Sequence, residues 1–273
     1  MLNINNNFLA DAFLSAQKQL NNEGYQAILC PVSYDSDYEK KLLHLLEGRL
    51  MAGVIFFGTT LGRRELEELN VRFPIVQCSE YIEGAETAFV SIENRLAAFE
   101  GVTYLIQNGH TRIGMISSKF GISSTKKRET GYREALESAG ISFVSELVRK
   151  GNYEPESGYQ ATMELLTLPE PPTAYFCVSD SMACGCIRAL CNSGINVPGD
   201  VSVLGFDNSP FARNMVPSIT TIGLPYAAIG KKASELLLEQ LKNCKKDNEG
   251  VLLPHELVLR ESVKPLVRCH RVP

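Results

Sequence analysis

The chain has no tryptophan and only four histidines in 273 residues. Any stacking against a ligand ring must therefore use phenylalanine or tyrosine. It also has no excess of positive charge: 27 basic residues stand against 31 acidic ones, a formal net charge of −4. Chains that coat a phosphate backbone usually carry a basic stripe, so this one is not expected to bind nucleic acid by itself. No apolar run approaches the roughly 18–20 residues that span a bilayer, so no membrane partner is expected. Met1–Ala10 holds three consecutive asparagines and no Lys or Arg. A secretory signal needs a charged start and an apolar stretch, which leaves a reducing cytoplasm as the expected home.

Signatures of catalysis and metal binding are missing as well. There is no GxxxxGK[ST], no GxGxxG after a strand, no GxSxG, no HExxH and no EF-hand loop. The eight cysteines include no CxxC pair, and Cys184 and Cys186 lie two apart with no histidine near. That is a poor metal spacing, and the cysteines read as small buried hydrophobes. An enzyme would need a nucleophile and a base, and only Cys177 or Ser179 with His110 offers one. The expectation is a binding protein, not an enzyme, with no cofactor and no metal.

What is present is alternation. Gly24–Cys30, Gly53–Phe57, Pro74–Cys78, Arg112–Ser117, Thr173–Val178 and Val201–Phe206 read as strands. Helical stripes fall on 37–49, 63–69, 93–108, 130–139, 157–166, 181–192 and 226–241, and extended pieces at 252–253 and 257–259 close the chain. This βαβα order predicts an α/β protein built on doubly wound parallel sheets. The units are too many for one comfortable sheet and no floppy linker divides them. Two lobes that trap a ligand between them are therefore expected.

Six phrases then follow in order. They are Asn108-Gly109-His110-Thr111-Arg112-Ile113, the stretch from Thr125 to Arg133 (TKKRETGYR), and Val178-Ser179-Asp180-Ser181-Met182-Ala183. After them come 197–208 (VPGDVSVLGFDN), 217–222 (PSITTI) and 253–262 (LPHELVLRES). Taken together, over about residues 5 to 263, the chain resembles the effector-binding core of the LacI/GalR family of bacterial transcriptional regulators. The resemblance implies a periplasmic-binding-protein-like type I fold. One lobe would be 1–91 plus 223–251, and the other 92–222 plus 252–273. It implies a repressor core that binds a small effector, a sugar or sugar phosphate, in a cleft and switches by lobe closure. It also implies a homodimer, and small residues on the 181–192 helix (Met182, Ala183, Gly185, Ala189) suit close packing, though small residues are also plain core. A solute-binding protein for sugar transport is the alternative on the same fold.

The resemblance places Arg128 at the family's effector-binding arginine, Asp207 at its ligand-binding aspartate and Asp180 in its [NS]-D-x-M-A phrase. Phe8 falls where the family sets an aromatic against the ligand. The chemistry agrees, because Asp180 and Asp207 each follow an apolar strand, where open α/β sheets bind ligands. A carboxylate there can accept from two sugar hydroxyls, and an arginine offers a rigid fork of donors. Plainer readings stand beside these. Asp180 can be the N-cap of the next helix, Asp207 an Asx-turn residue, Arg128 part of a solvated helix start, and Phe8 first-helix core. His110 reads as orienting the turn after Gly109, and Tyr132 and Phe206 as core.

The chain departs from the family in two ways. It holds no helix-turn-helix headpiece, so operator DNA would be reached only through a headpiece outside these residues. The family's first strand is reduced to Met1–Asn5, which would leave backbone groups unpaired beside Gln26–Cys30 and Gly53–Phe57. A first lobe less stable than the second is expected.

Overall fold

The computed structural model describes residues 7–32, 35–243 and 248–266. Helices α1 (Asn7–Asn22) and α2 (Ser36–Glu47) come first, then β1 (Val54–Phe56), α3 (Arg63–Arg72), β2 (Ile75–Cys78) and β3 (Ala88–Ile92). Next are α4 (Asn94–Gln107), β4 (Ile113–Ser118), α5 (Ser123–Ser138), β5 (Val148–Gly151) and α6 (Pro155–Leu166). They are followed by β6 (Ala174–Cys177), α7 (Asp180–Asn192), β7 (Ser202–Asp207), α8 (Pro210–Asn214) and β8 (Thr220–Gly223). The order closes with α9 (Tyr226–Asn243), β9 (Gly250–Leu253) and β10 (Glu256–Val258). The chain divides into two compact units, residues 1–93 with 225–254 and residues 94–224 with 255–273.

The first unit carries a parallel sheet in the order β1-β2-β3-β9. All four residues of β2 are buried, the pattern of a strand covered on both faces. Gln240 of α9 clamps that strand: its Oε1 accepts from the Ile75 N–H at 2.9 Å and its Nε2 donates to the Ile75 carbonyl at 3.1 Å. Helix α1 lies so close to α9 that a Cβ on Gly230 would stand 2.0 Å from the Ala12 carbonyl oxygen.

The second unit carries six strands in the order β10-β8-β7-β6-β4-β5. All pairs are parallel except β10 on β8. Its core is dominated by fully buried Tyr132, Tyr175, Phe176 and Phe206. Both sheets follow the α/β alternation expected from the sequence.

Several local expectations are corrected. Gly24 lies in a turn with φ +81° and residues 25–30 form no ladder among the described residues, so the segment is not a strand. Composition can favour extended backbone, but only a hydrogen-bonded neighbour makes a strand. The segment before it, Met1–Asn5, lies outside the described residues. Strands β3, β5 and β8 appear where none was expected. β5 reads Val148-Arg149-Lys150-Gly151, a charged edge strand that exists because β4 offers it a partner. Helix α5 begins at Ser123, not near Thr130.

Of the two roles open to the small residues of α7, a face for a second copy or plain core, the structure shows the core one. Met182, Ala183 and Ala189 are fully buried inside the unit. A Cβ on Gly185 would lie 1.8 Å from the Pro155 carbonyl oxygen of α6. The stripe packs α7 against α6 rather than forming an outer face for a second copy. The cysteines divide too: Cys78, Cys177 and Cys186 are buried and Cys184 is half-buried, but Cys30 and Cys191 are exposed. Cys244 and Cys269 lie outside the described residues.

The α6–α7 crossing gives a test. Gly185→Ala forces a methyl into backbone and should cost about 1–3 kcal/mol, as overpacking does. The check is Tm by calorimetry; an unchanged Tm would show that the helices part without strain.

Candidate functional site

Five strands of the second unit run parallel, so their carboxyl ends gather along one edge of the sheet, where open α/β sheets take ligands. Phe120 and the first turns of α5 follow β4, and Tyr153 follows β5. Asp180 follows β6, and Asp207 with Asn208 ends β7.

Asp180 is fully buried. Its Oδ1 accepts from the Thr221 hydroxyl of β8 at 2.6 Å, and its Oδ2 accepts from the Ser209 N–H at 2.6 Å. A Cβ on Gly205 would come 2.2 Å from Oδ1, so this point of β7 has room only for glycine. Asp180 is not the N-cap of α7. Ser179 is, with its Oγ accepting from the Met182 N–H at 3.3 Å. Burial, with the neighbouring Asp207 charge in support, pushes the Asp180 carboxyl up to about 7, against the hydrogen bonds from Thr221 and Ser209 that favour the carboxylate.

Arg128 is also buried, so it is no solvated helix start. The cause is the crossing of α5 over α4. A Cβ on Gly131 would lie 2.1 Å from the Arg95 carbonyl oxygen, and this closeness draws Arg128 onto the start of α4. Its Nε donates to Asn94 Oδ1 at 2.9 Å and its Nη1 to the Val178 carbonyl at 2.6 Å. The guanidinium carbon lies 3.6 Å from the centre of the Phe206 ring, a cation–π stack that fixes the plane of the fork. Phe206 is thus core and also the platform of this arginine.

Asp207 Oδ1 lies 3.8 Å from Arg128 Nη1, and the Asp207 side chain keeps 13% exposure. Asp207 and Asn208 both have positive φ, +115° and +58°. Such backbone is costly outside glycine and persists only where its surroundings enforce it. The enforcement is visible at Asn208. Its N–H donates to Thr221 Oγ1 at 3.3 Å, and its Oδ1 accepts from Arg260 Nη2. Arg260 Nη1 in turn donates to the Ile219 carbonyl at 2.8 Å. On the same edge the rings of Phe120 and Tyr153 are parallel with centres 6.4 Å apart. The Tyr153 hydroxyl is 2.6 Å from that of Thr125.

The structure therefore brings together Arg128, Asp180 and Asp207. Phe8 lies in α1 of the first unit, and its side chain is outside the described residues. Asn94, Gly205, Asn208, Thr221 and Arg260 complete the arrangement without having been singled out. Four of them sit inside or beside motif phrases (GFDN, PSITTI, LVLRES), whereas Asn94 has no sequence signal. The nucleophile–base pairing does not form. His110 sits at the amino ends of the strands, with Nδ1 3.1 Å from Thr173 Oγ1 and Nε2 3.0 Å from Ser202 Oγ. The Cys177 thiol is pushed well up by burial.

A family model described as a periplasmic binding protein-like domain matches residues 102–263. The HTH-type transcriptional repressor CytR of Escherichia coli K12 is 34% identical over 246 residues, 90% of this chain and 72% of that protein. The HTH-type transcriptional repressor PurR of Mannheimia succiniciproducens is 31% identical over 261 residues, 95% of this chain and 78% of that protein. The solved structure of transcription regulator CcpA of Lactococcus lactis superposes with TM-score 0.88 at 27% identity, covering 97% of each chain. The chain belongs to the LacI family of transcriptional regulators.

As a member of that family it has the periplasmic-binding-protein-like fold, and its relatives are transcriptional repressors, not enzymes. Among the described residues no group of three or more His, Cys, Asp and Glu could hold a metal ion, and no helix is long and apolar enough to cross a membrane.

Asp180 allows a pH test. Its folded-state value of about 7 lies above the ordinary 3.8, so the folded protein holds this proton more tightly than the unfolded chain. The stability it contributes is full below about pH 4 and is lost as pH rises through about 7. Asp180→Asn imitates the protonated carboxyl, with its oxygen accepting from Ser209 and its amide donating to Thr221. The Tm advantage of the natural chain over this variant should therefore shrink as pH rises from about 4 to 8. A difference independent of pH would mean that the carboxyl stays ionised throughout.

Proposed function

We propose that the carboxyl edge of the six-stranded sheet is the effector-binding wall of a sugar-responsive repressor core, and that the two units are its two lobes. The observation that carries this reading is the Arg128–Asp207 pair, 3.8 Å apart, with the arginine held by Asn94, Val178 and Phe206. A fixed donor fork beside a partly exposed carboxylate suits vicinal hydroxyls, which donate and accept at once. Phe120 and Tyr153 supply aromatic surface on the same edge in a chain without tryptophan. Asp180 acts through Ser209 and Thr221, setting the turn that presents Asp207 and Asn208. A free sugar fits better than a sugar phosphate, since the acidic pair leaves little net positive charge for a phosphate. In support, a regulator solved as a CelR–cellobiose complex is 28% identical with TM-score 0.83, covering 94% of this chain and 79% of that one.

As a LacI-family core the chain pairs with a second copy and acts on operator DNA through a headpiece outside residues 1–273. Phe8 remains the first unit's candidate contact with the effector.

The test is a calorimetric titration of the chain with mono- and disaccharides, their phosphates, and nucleosides. One sugar should bind and raise Tm, by about 2.7 kcal/mol of stabilisation at a hundredfold excess over Kd. Asp207→Asn should weaken that sugar roughly 10–100-fold, the worth of a charge-assisted hydrogen bond of about 1.5–3 kcal/mol. Binding of a nucleoside with no response to any sugar would overturn the effector class. Sugar binding indifferent to Asp207→Asn would move the site elsewhere. Sedimentation checks the dimer.

A further inference from the structure

The chain passes between its two units three times, after Glu93, Leu224 and Pro254. Each crossing lies beside the Arg128–Asp207 pair in the sequence or in the ladder. Asn94, which accepts from Arg128 Nε, is the first residue after the first crossing. Gly223, the last residue of β8, comes just before the second and is the ladder partner of Asp207. Arg260 comes shortly after the third and donates through Nη2 to Asn208, the neighbour of Asp207.

The second and third crossings meet at Asn208. Gly223 is the antiparallel partner of Glu256 in β10. A Cβ on Gly223 would lie 3.3 Å from the Asn208 Cβ and 3.3 Å from Val258 Cγ2. The strand that leaves the second unit and the strand that re-enters it thus run side by side, with the Asn208 side chain against the end of the first. Arg260 pins the re-entering segment. Its main-chain N–H donates to Thr220 Oγ1 at 2.9 Å and its Nη1 to the Ile219 carbonyl at 2.8 Å. Both terminal nitrogens of its fork therefore bond the protein, one to the start of β8 and one to the residue beside Asp207.

Backbone strain makes this contact a stiff one. Asp207 and Asn208 hold φ of +115° and +58°. Outside glycine such backbone has no broad well in which to absorb a displacement. A shift of residues 255–260 pulls on Asn208 through Arg260. Asn208 can follow only by turning Asp207, whose carboxylate lies 3.8 Å from Arg128 Nη1. A shift of Asp207 is passed back along the same bonds.

We propose that Arg260, acting through Asn208, is the positioning residue that couples Asp207 to the second and third crossings. The state of the crossings sets where Asp207 stands, and a change at Asp207 is felt in the crossings, because such coupling is reciprocal. The coupling rests on Arg128 and Asp207 being the effector pair, and it is a means of regulating that site.

The experiment is amide exchange read by mass spectrometry on the full chain without any sugar. It can therefore fail while the sugar titration succeeds, or succeed while that fails. Asp207→Asn perturbs the pair. It should speed exchange at residues 222–226 and 255–259 about tenfold, a usual size for coupling between sites. Exchange in β5, in the same sheet but away from Asn208, should not change. Arg260→Gln should by itself speed exchange at the crossings. Adding Asp207→Asn to it should then change them less than about twofold, since a link already cut leaves the two substitutions non-additive. Asn208→Gly guards against a variant that does not fold: glycine takes φ +58° without strain, and only the acceptor for Arg260 is lost. It should blunt the response to Asp207→Asn in the same way. A response of equal size in the natural chain and in either variant would overturn the proposal and leave Arg260 a structural residue only. Crossings that do not respond to Asp207→Asn in the natural chain would overturn it as well.

Discussion

A carboxylate placed where water cannot reach must find its partners in the protein. Asp180 finds them on two neighbouring elements: the Thr221 hydroxyl of β8 and the Ser209 N–H after β7. It leans on β7 so closely that only glycine fits at position 205. One buried group thus joins the ends of β6, β7 and β8. The left-handed backbone at Asp207 and Asn208 depends on this joint and on the Arg260 bond to Asn208. So does the direction in which Asp207 meets Arg128. The raised proton affinity of Asp180 is the electrostatic counterpart of the same burial.

The two units treat the rule for parallel sheets differently. In the second, five parallel strands and one antiparallel edge strand give each central strand two neighbours. Glycines at 131, 158 and 185 then let helices settle onto one another at backbone contact. In the first, β1 has a neighbour on one side only among the described residues.

The legible parts of the fold were those with strong local periodicity. Helices α2, α3, α4, α6, α7 and α9 and the apolar runs of β1, β2, β4, β6 and β7 stand in the sequence, whereas α1 was not read there. The elements that stayed hidden are defined by partners. β5 is a charged tetrapeptide made into a strand by β4, and Gly24–Cys30 has strand composition without a ladder. The small residues of α7 could have served an outer or an inner contact. Gly185 against Pro155 shows the inner one, and no periodicity distinguishes the two.

At the site the motif phrases put Asp180 and Asp207 after apolar strands and Arg128 in a helix start, and chemistry gave them donor and acceptor roles. The sequence by itself determined that much: an α/β chain, its LacI-family pattern, and a short set of charged residues at strand ends. Tertiary structure decided the rest. It alone buried Arg128 on Phe206, made Ser179 the cap and Asp180 the joint, and brought in Asn94 from 34 residues away and Arg260 from 52. The physical reason is that burial and hydrogen-bond satisfaction are properties of the packed neighbourhood. They depend on which distant residues arrive there, and local sequence carries no record of that arrival.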